Sequence, residues 1–318
     1  MTCRLLLALA SVLVSALAHA QEYPVRPIRI VVPYPAGGSA DLVPRIFAEK
    51  LHAKWGQPVL VENRPGGGGN IGAESVYRAE PDGYTLMASP PGPLVVNRNL
   101  YRKLAFDPAA FVPVSILAAI PNVLLVNPKM PVHSVEEFIA YAKANPDKLN
   151  YGSQGSGSTS HLSAELFKST AGLRITHVPY KGSTPAMTAL LAGEIDLMFD
   201  NLGVTLAQVK SGRLRAIAVG TEKRVSSLPG VPAMGEILPG FVSATWVGIA
   251  APPRTSAAIA EKFSSAVAEA IRSPDVVARL AALSAEPVGD TPKEMAVFME
   301  LEEERWKRVI ESARVRAD

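Results

Sequence analysis

Ile28-Arg-Ile-Val-Val32, followed by Pro33-Tyr34-Pro35-Ala36-Gly37-Gly38-Ser39-Ala40-Asp41, decides how the chain is read. The apolar run reads as a strand and the glycine pair as a tight turn. An amphipathic helix then follows, with Val43, Ile46, Phe47 and Leu51 on one face. Bare glycines let a ligand approach the backbone closely, and the first-turn amides of a helix have no intrahelical acceptor. Such a turn holds an anion without a charged side chain. Pro44 lacks an amide proton and is cheap only in a first turn, so the helix is expected to begin no earlier than about Ala40, with Ser39 or Asp41 as its cap.

A second stretch repeats the arrangement: Tyr151-Gly-Ser-Gln-Gly-Ser-Gly-Ser-Thr-Ser-His161 ends a strand and opens a helix. Around Gly157, the hydroxyls of Ser153, Ser156, Ser158 and Thr159 can donate to an anion as well as cap the helix. The Gly/Ser composition alone would also suit a flexible linker. Two such anion-receptive turns, one per lobe, imply a cleft between them. Further strand ends deliver Ser89, Tyr180, Lys181 and Asp200 to the same edge. Asp200 is placed there to take a ligand amine or to clamp a loop. After Tyr180 and Lys181, Thr184 is the expected helix cap, Pro185 the first helical residue and Gly193 the stop.

Working outward, strand-like runs at 28–32, 59–62, 84–88, 123–126, 175–178, 195–199 and 216–219 alternate with helical stretches, which predicts an α/β fold with mostly parallel sheets. The apolar run Val114 to Val126, with Pro121-Asn122 in its middle, suits a strand crossing between lobes. Residues 21–120 and 221–318 are expected to form one discontinuous lobe and 121–220 the other. Ser134 and Glu137 signal a capped helix to Ala144, and Thr291, Pro292 and Glu294 start a long terminal one. In that helix Glu302, Glu303 and Glu304 are expected on a solvated face, with Trp306 turned inward.

Several chemistries are disfavoured. Gly67, Gly69 and Gly72 spell a dinucleotide fingerprint, but the position where an acidic ribose ligand belongs reads Ser89-Pro90-Pro91-Gly92, so a packed glycine turn is the better reading. A hydrolase elbow needs Gly-x-Ser-x-Gly, which neither turn supplies, and adjacent Ser160 and His161 point apart on a helix, so no catalytic residue is assigned. His52, His133 and His177 lack metal-ligand spacing, and no metal or cofactor is expected. Arg4, the short apolar stretch Leu5 to Leu17 and Ala18-His19-Ala20 read as a cleaved signal peptide, with Gln21 as the mature start. The only cysteine, Cys3, lies in that leader, and losing Arg4 turns the net charge of +3 into +2. An exported protein without disulfides and with no nucleic-acid partner is expected.

Tyr23-Pro-x-Arg26-Pro-Ile, the Pro33 to Asp41 turn, Gly56-Gln-Pro-Val59, Glu62-Asn-Arg-Pro-Gly66, Pro81-Asp-Gly-Tyr-Thr-Leu86, His177-Val-Pro-Tyr-Lys-Gly182 and Gly212-Arg-Leu-Arg-Ala216 together resemble the Bug family. These are solute-binding receptors of tripartite tricarboxylate transporters. Leu228-Pro-Gly-Val-Pro232, Trp246-Val-Gly248 and Glu304-Arg-Trp306 extend the resemblance over essentially the whole mature chain. It implies a two-lobed, type II-like Venus-flytrap fold in the periplasm, without catalysis or cofactor. A ligand carboxylate would be held by the Pro35 to Asp41 backbone, partly through water, and the far end by the Ser153 to Thr159 turn. Tyr34, Pro35, Ala36, Gly37, Gly38, Ser39, Asp41, Ser89, Ser153, Ser156, Gly157, Ser158, Thr159, His161, Tyr180, Lys181 and Asp200 form the expected site. The expected partners are a small mono- or dicarboxylate and the permease subunits of the transporter, with the receptor itself a monomer. A periplasmic sensor and a secreted hydrolase are the alternative functions.

Overall fold

A computed structural model of the chain describes residues 23–317. The expected leader, its cleavage point and Cys3 lie outside the described residues.

Strand β1 (Ile28–Val32) is covered on both faces. Ile28, Ile30 and Val32 enter one apolar cluster with Val43, Phe47 and Leu51 of helix α1 (Ser39–Trp55). Val31 enters the opposite cluster with Met87 and Trp246. Apolar residues at both phases of a strand are what a doubly covered sheet requires. β1 pairs in parallel with β2 (Val59–Asn63) and β3 (Thr85–Ser89), and helix α2 (Asn70–Tyr77) lies between those two strands in sequence.

The 15-residue strand β4 (Val112–Val126) ties the two lobes together. As far as Pro121 it pairs with β9 (Ala244–Ala251), which in turn pairs with β3. From Asn122 onward it pairs with β7 (Leu197–Asn201), and from Val123 also with β8 (Arg215–Val219). β7 continues the second lobe through β5 (Asn150–Ser153) to β6 (Thr176–Pro179). β4 contributes to four apolar clusters in turn: Val114 and Ile120 to one, Ile116 to a second, Leu124 and Val126 to a third, Val123 and Leu125 to a fourth.

The sheets are not mostly parallel. The β2-β1-β3 and β7-β5-β6 pairings are parallel, but every pairing made by β4 or β9 is antiparallel. Those two strands do not enter through a βαβ unit, the connection that makes neighbours parallel. β9 itself was not among the expected strands, because Thr245 to Ala251 is buried without interruption and shows no alternation.

The change of partner on β4 is stitched by Asn122, which is fully buried. Its amide nitrogen Nδ2 donates to Ser243 Oγ (3.0 Å) and Ser163 Oγ (3.2 Å), and its Oδ1 accepts from Asn201 (2.7 Å). Two helix starts also differ from expectation. α1 begins at Ser39 with Gly38 as cap, and neither Ser39 nor Asp41 caps it; Pro44 falls inside the helix. Helix α5 (Ser183–Ala192) is capped by Gly182, not Thr184. In the terminal helix α9 (Pro292–Ala313) the Thr291–Glu294 capping box is present and Trp306 is buried. Glu302, however, is buried too, accepting from the indole nitrogens of Trp246 and Trp306 at 3.0 Å each. No described helix is long and apolar enough to cross a membrane.

Candidate functional site

Three helix starts converge where the lobes face each other: α1, α4 (Thr159–Ala171) and α5. They enclose a cleft of about 100 Å³. Tyr34, Pro35, Ala36, Gly38, Ser39 and Ala40 form one wall, with Pro90 and Gly92 beyond β3 and Thr245 and Val247 on β9. Gln154, Ser158, Thr159, Lys181 to Pro185 and Asn201 form the other. Ser39 is only 2% exposed and its Oγ has no hydrogen-bond partner. A buried hydroxyl left unpaired costs about 1–3 kcal/mol.

The turn after β1 is held from behind. Asp41 Oδ2 accepts from the Gly37 amide (3.0 Å) and Oδ1 from Arg45 Nε (2.9 Å), while Asn63 Nδ2 donates to the Tyr34 carbonyl (3.0 Å). Burial opposes the Asp41 charge, but the hydrogen bonds from Arg45, Gly37 and Asn63 outweigh it and hold the carboxyl below its usual range. Gly37 and Asp41 therefore spend their polar groups on each other and do not line the cleft. Ser89 is fully buried behind the wall, its Oγ donating to the Pro90 carbonyl (2.8 Å).

The turn after β5 is braced similarly. Ser153 Oγ lies 2.7 Å from His177 Nε2 and accepts from the Gly155 amide (3.1 Å). The Gly157 amide donates to His161 Nδ1 (3.1 Å), which assigns the ring proton to Nε2. Ser158 caps α4, accepting from the His161 amide (3.2 Å) and donating to the Gly155 carbonyl (2.7 Å). His161 stacks on His177 with ring centroids 4.0 Å apart. Burial, then His177 and Lys168, lower the His161 pKa to about 3; burial lowers that of His177 to about 4. Both rings are neutral structural parts. Ser156 and Tyr180 face an adjoining chamber, and only Lys181 of the strand-end pair also reaches the cleft.

Asp200 is fully buried and does not line the cleft. Its carboxylate accepts from Gln154 Nε2, Ser183 Oγ and the Asn201 amide, and so fixes two side chains of the cleft wall. Burial raises its pKa to about 6, against the hydrogen bonds from Ser183, Asn201 and Gln154. Of its two expected roles, the geometry is that of a loop clamp.

Gln154 and Asn201 fall within the expected cleft loops at 153–161 and 200–203, whereas Gly182, Ser183, Thr184, Thr245 and Val247 were not expected in the wall. Gly182-Ser183-Thr184 had a readable signal, since it too follows a strand and opens a helix. Thr245 and Val247 sit on a continuous apolar strand and had none. Among the described residues, no group of three His, Cys, Asp or Glu is arranged to hold a metal ion.

A profile described as the tripartite tricarboxylate transporter family receptor matches residues 43–315. The chain belongs to this receptor family. It is 38% identical to BugT of Bordetella pertussis over 93% of this chain and 92% of that one. A solved Rhodopseudomonas palustris protein with adipate shares 38% identity and a TM-score of 0.89 over 93% of this chain and 99% of that one. MatC from the same organism, solved with bound malate, shares 34% identity and a TM-score of 0.85 over 91% of this chain and all of that one (100%). The receptor's relatives are periplasmic binding proteins and not enzymes, and the two-lobed binding-protein fold is the one seen here.

Proposed function

We propose that this receptor captures a small mono- or dicarboxylate, aliphatic or aromatic, between its lobes and delivers it to the permease subunits of its transporter. The carrying observation is Ser39, whose buried, unpartnered Oγ lies in the cleft wall beside the first-turn amides of α1. Small anions are bound either by arginine forks or by neutral donors. Among the described residues lining the cleft, Lys181 is the only charged one, so neutral donors carry the reading: amides at the starts of α1, α4 and α5 and the hydroxyls of Ser39, Ser158 and Thr159. Asp200, close behind Gln154 and Ser183, disfavours a third negative charge on the ligand. The neighbours solved with adipate and malate agree with an acid of this size.

In this reading Tyr34, Pro35, Ala36, Gly38, Ser39, Ser158, Thr159 and Lys181 contact the ligand, while Asp41, Ser153, Gly157, His161 and Asp200 hold the contacting loops. Residues 21–120 with 221–318 make one lobe and 121–220 the other, supported by the partner change of β4 between Pro121 and Asn122. The mature receptor starts at Gln21 and works as a monomer in the periplasm without a cofactor. Calorimetry with succinate and with its uncharged diamide tests the recognition of charge. Only the acid should bind; equal binding of the diamide would reject a carboxylate site.

A further inference from the structure

The space between the lobes continues beyond the cleft. A second chamber of about 530 Å³ is walled by Pro65, the Gly66 to Gly69 run, Tyr101 and Ala317 on one side and by Gln154 to Ser156 and Tyr180 on the other. Tyr34, Pro35, Gln154, Lys181 and Gly182 line both spaces, so the two meet at a shared neck. Gly182 has φ +109, and a Cβ there would already sit 3.6 Å from Pro35 Cγ. A longer side chain at this position would narrow the neck. The chamber wall likewise depends on bare backbone, since a Cβ at Gly68 would come within 2.5 Å of Tyr101 Oη.

At about 100 Å³ the inner cleft is the smaller of the two spaces, and it takes the carboxylate end of an acid. The chamber is far larger and offers the rings of Tyr101, Tyr180 and Pro65 beside glycine backbone. Among the described residues lining it, Lys181 at the neck is the only charged one.

We propose that the chamber is a tail subsite and that the ligand is an elongated acid. One carboxylate occupies the inner cleft, the chain passes the Pro35–Gly182 neck beside Lys181, and the apolar body lies along Tyr101 and Tyr180. The tail subsite presupposes the carboxylate at Ser39 and narrows the ligand class to acids too long for the inner cleft.

Calorimetry on the mature receptor with the straight-chain dicarboxylates succinate, adipate, suberate and sebacate tests the assignment. Sebacate should bind at least about tenfold more tightly than succinate, a gain that burial of only two methylenes would supply. Ala317→Trp fills the chamber from the chain end without touching the inner cleft, so it should bring that ratio close to one while succinate binds as before. Succinate binding as tightly as sebacate would overturn the tail subsite, as would an unchanged ratio in an Ala317→Trp protein that still binds succinate. Should that variant fail to fold, the wild-type series decides alone: rising affinity supports the subsite and flat affinity removes it. Failure of every acid to bind would instead reject the carboxylate site, and the tail subsite with it.

Discussion

In the proposed site Ser39 is the contact, and Asp200, behind the wall, is the support that holds Gln154 and Ser183. Removing the Ser39 hydroxyl takes away a donor to the ligand and also an unpaired buried group. Ser39→Ala should therefore lose about tenfold or more in affinity, since hydrogen bonds to charged groups contribute about 1.5–3 kcal/mol, with unfolding temperature unchanged or raised. Calorimetry and thermal unfolding of the same protein check both halves; a marked loss of stability would mean the hydroxyl already has a partner. Asp200 gives a pH dependence. Its folded pKa of about 6 lies above the ordinary 3.8, so its stabilising contribution is complete below the lower value and is lost as pH rises through about 6. His161 and His177 act oppositely: their lowered values give stability that is present above the ordinary 6.5 and lost as pH falls through about 4 and 3. Comparison with Asp200→Asn isolates the carboxyl. On moving from about pH 7.5 to about pH 4.5 the wild type should gain in melting temperature relative to the variant, and parallel changes in the two proteins would contradict the raised pKa. The sequence placed Asp41 and Asp200 at the right strand and helix ends. It could not show that Gln154 and Ser183 occupy Asp200, because those partners are set by tertiary contact, whereas Gly37 and Arg45, each four residues from Asp41, are local partners that the cap reading passed over.

The strand–glycine–helix elements were legible because their chemistry is local: an apolar run, bare glycines and a helix start carry their own geometry. Helix starts were read less well. Thr184-Pro185 is a good local cap signal, but Gly182 in a left-handed conformation and the tie of Ser183 to Asp200 move the start of α5 earlier. That shift adds a third helix start to the cleft. At α1, Gly38 has an ordinary φ of −88°, and a Cβ added there would meet no atom within 4 Å. Gly38→Val should therefore fold, with a capping cost of about 1 kcal/mol, yet lose ligand binding because its side chain takes up the cleft. Circular dichroism establishes the fold and calorimetry the loss; wild-type affinity in a folded Gly38→Val protein would exclude close backbone approach at this turn.

For the whole molecule, the crossing strand was readable from Val114 to Val126, and Pro121-Asn122 marks the point where it changes partners. The antiparallel β9 was not readable, since its partners come from distant parts of the chain. Just after β8, where the chain returns from residues 121–220, Gly220 makes a second crossing so close to the chain before β9 that a Cβ would come within 2.4 Å of the Ser243 carbonyl oxygen. With these crossings as hinges, the lobes are expected to close on ligand, and small-angle scattering should show a smaller radius of gyration when an acid is bound. An unchanged radius would speak for a rigid cleft. The most direct test of the carboxylate cradle is mass spectrometry of small molecules released from the purified mature receptor. A small carboxylic acid with no more than two negative charges at neutral pH, stoichiometric with the protein, is predicted. A neutral sugar, an organic cation or a phosphate ester at that stoichiometry would contradict it.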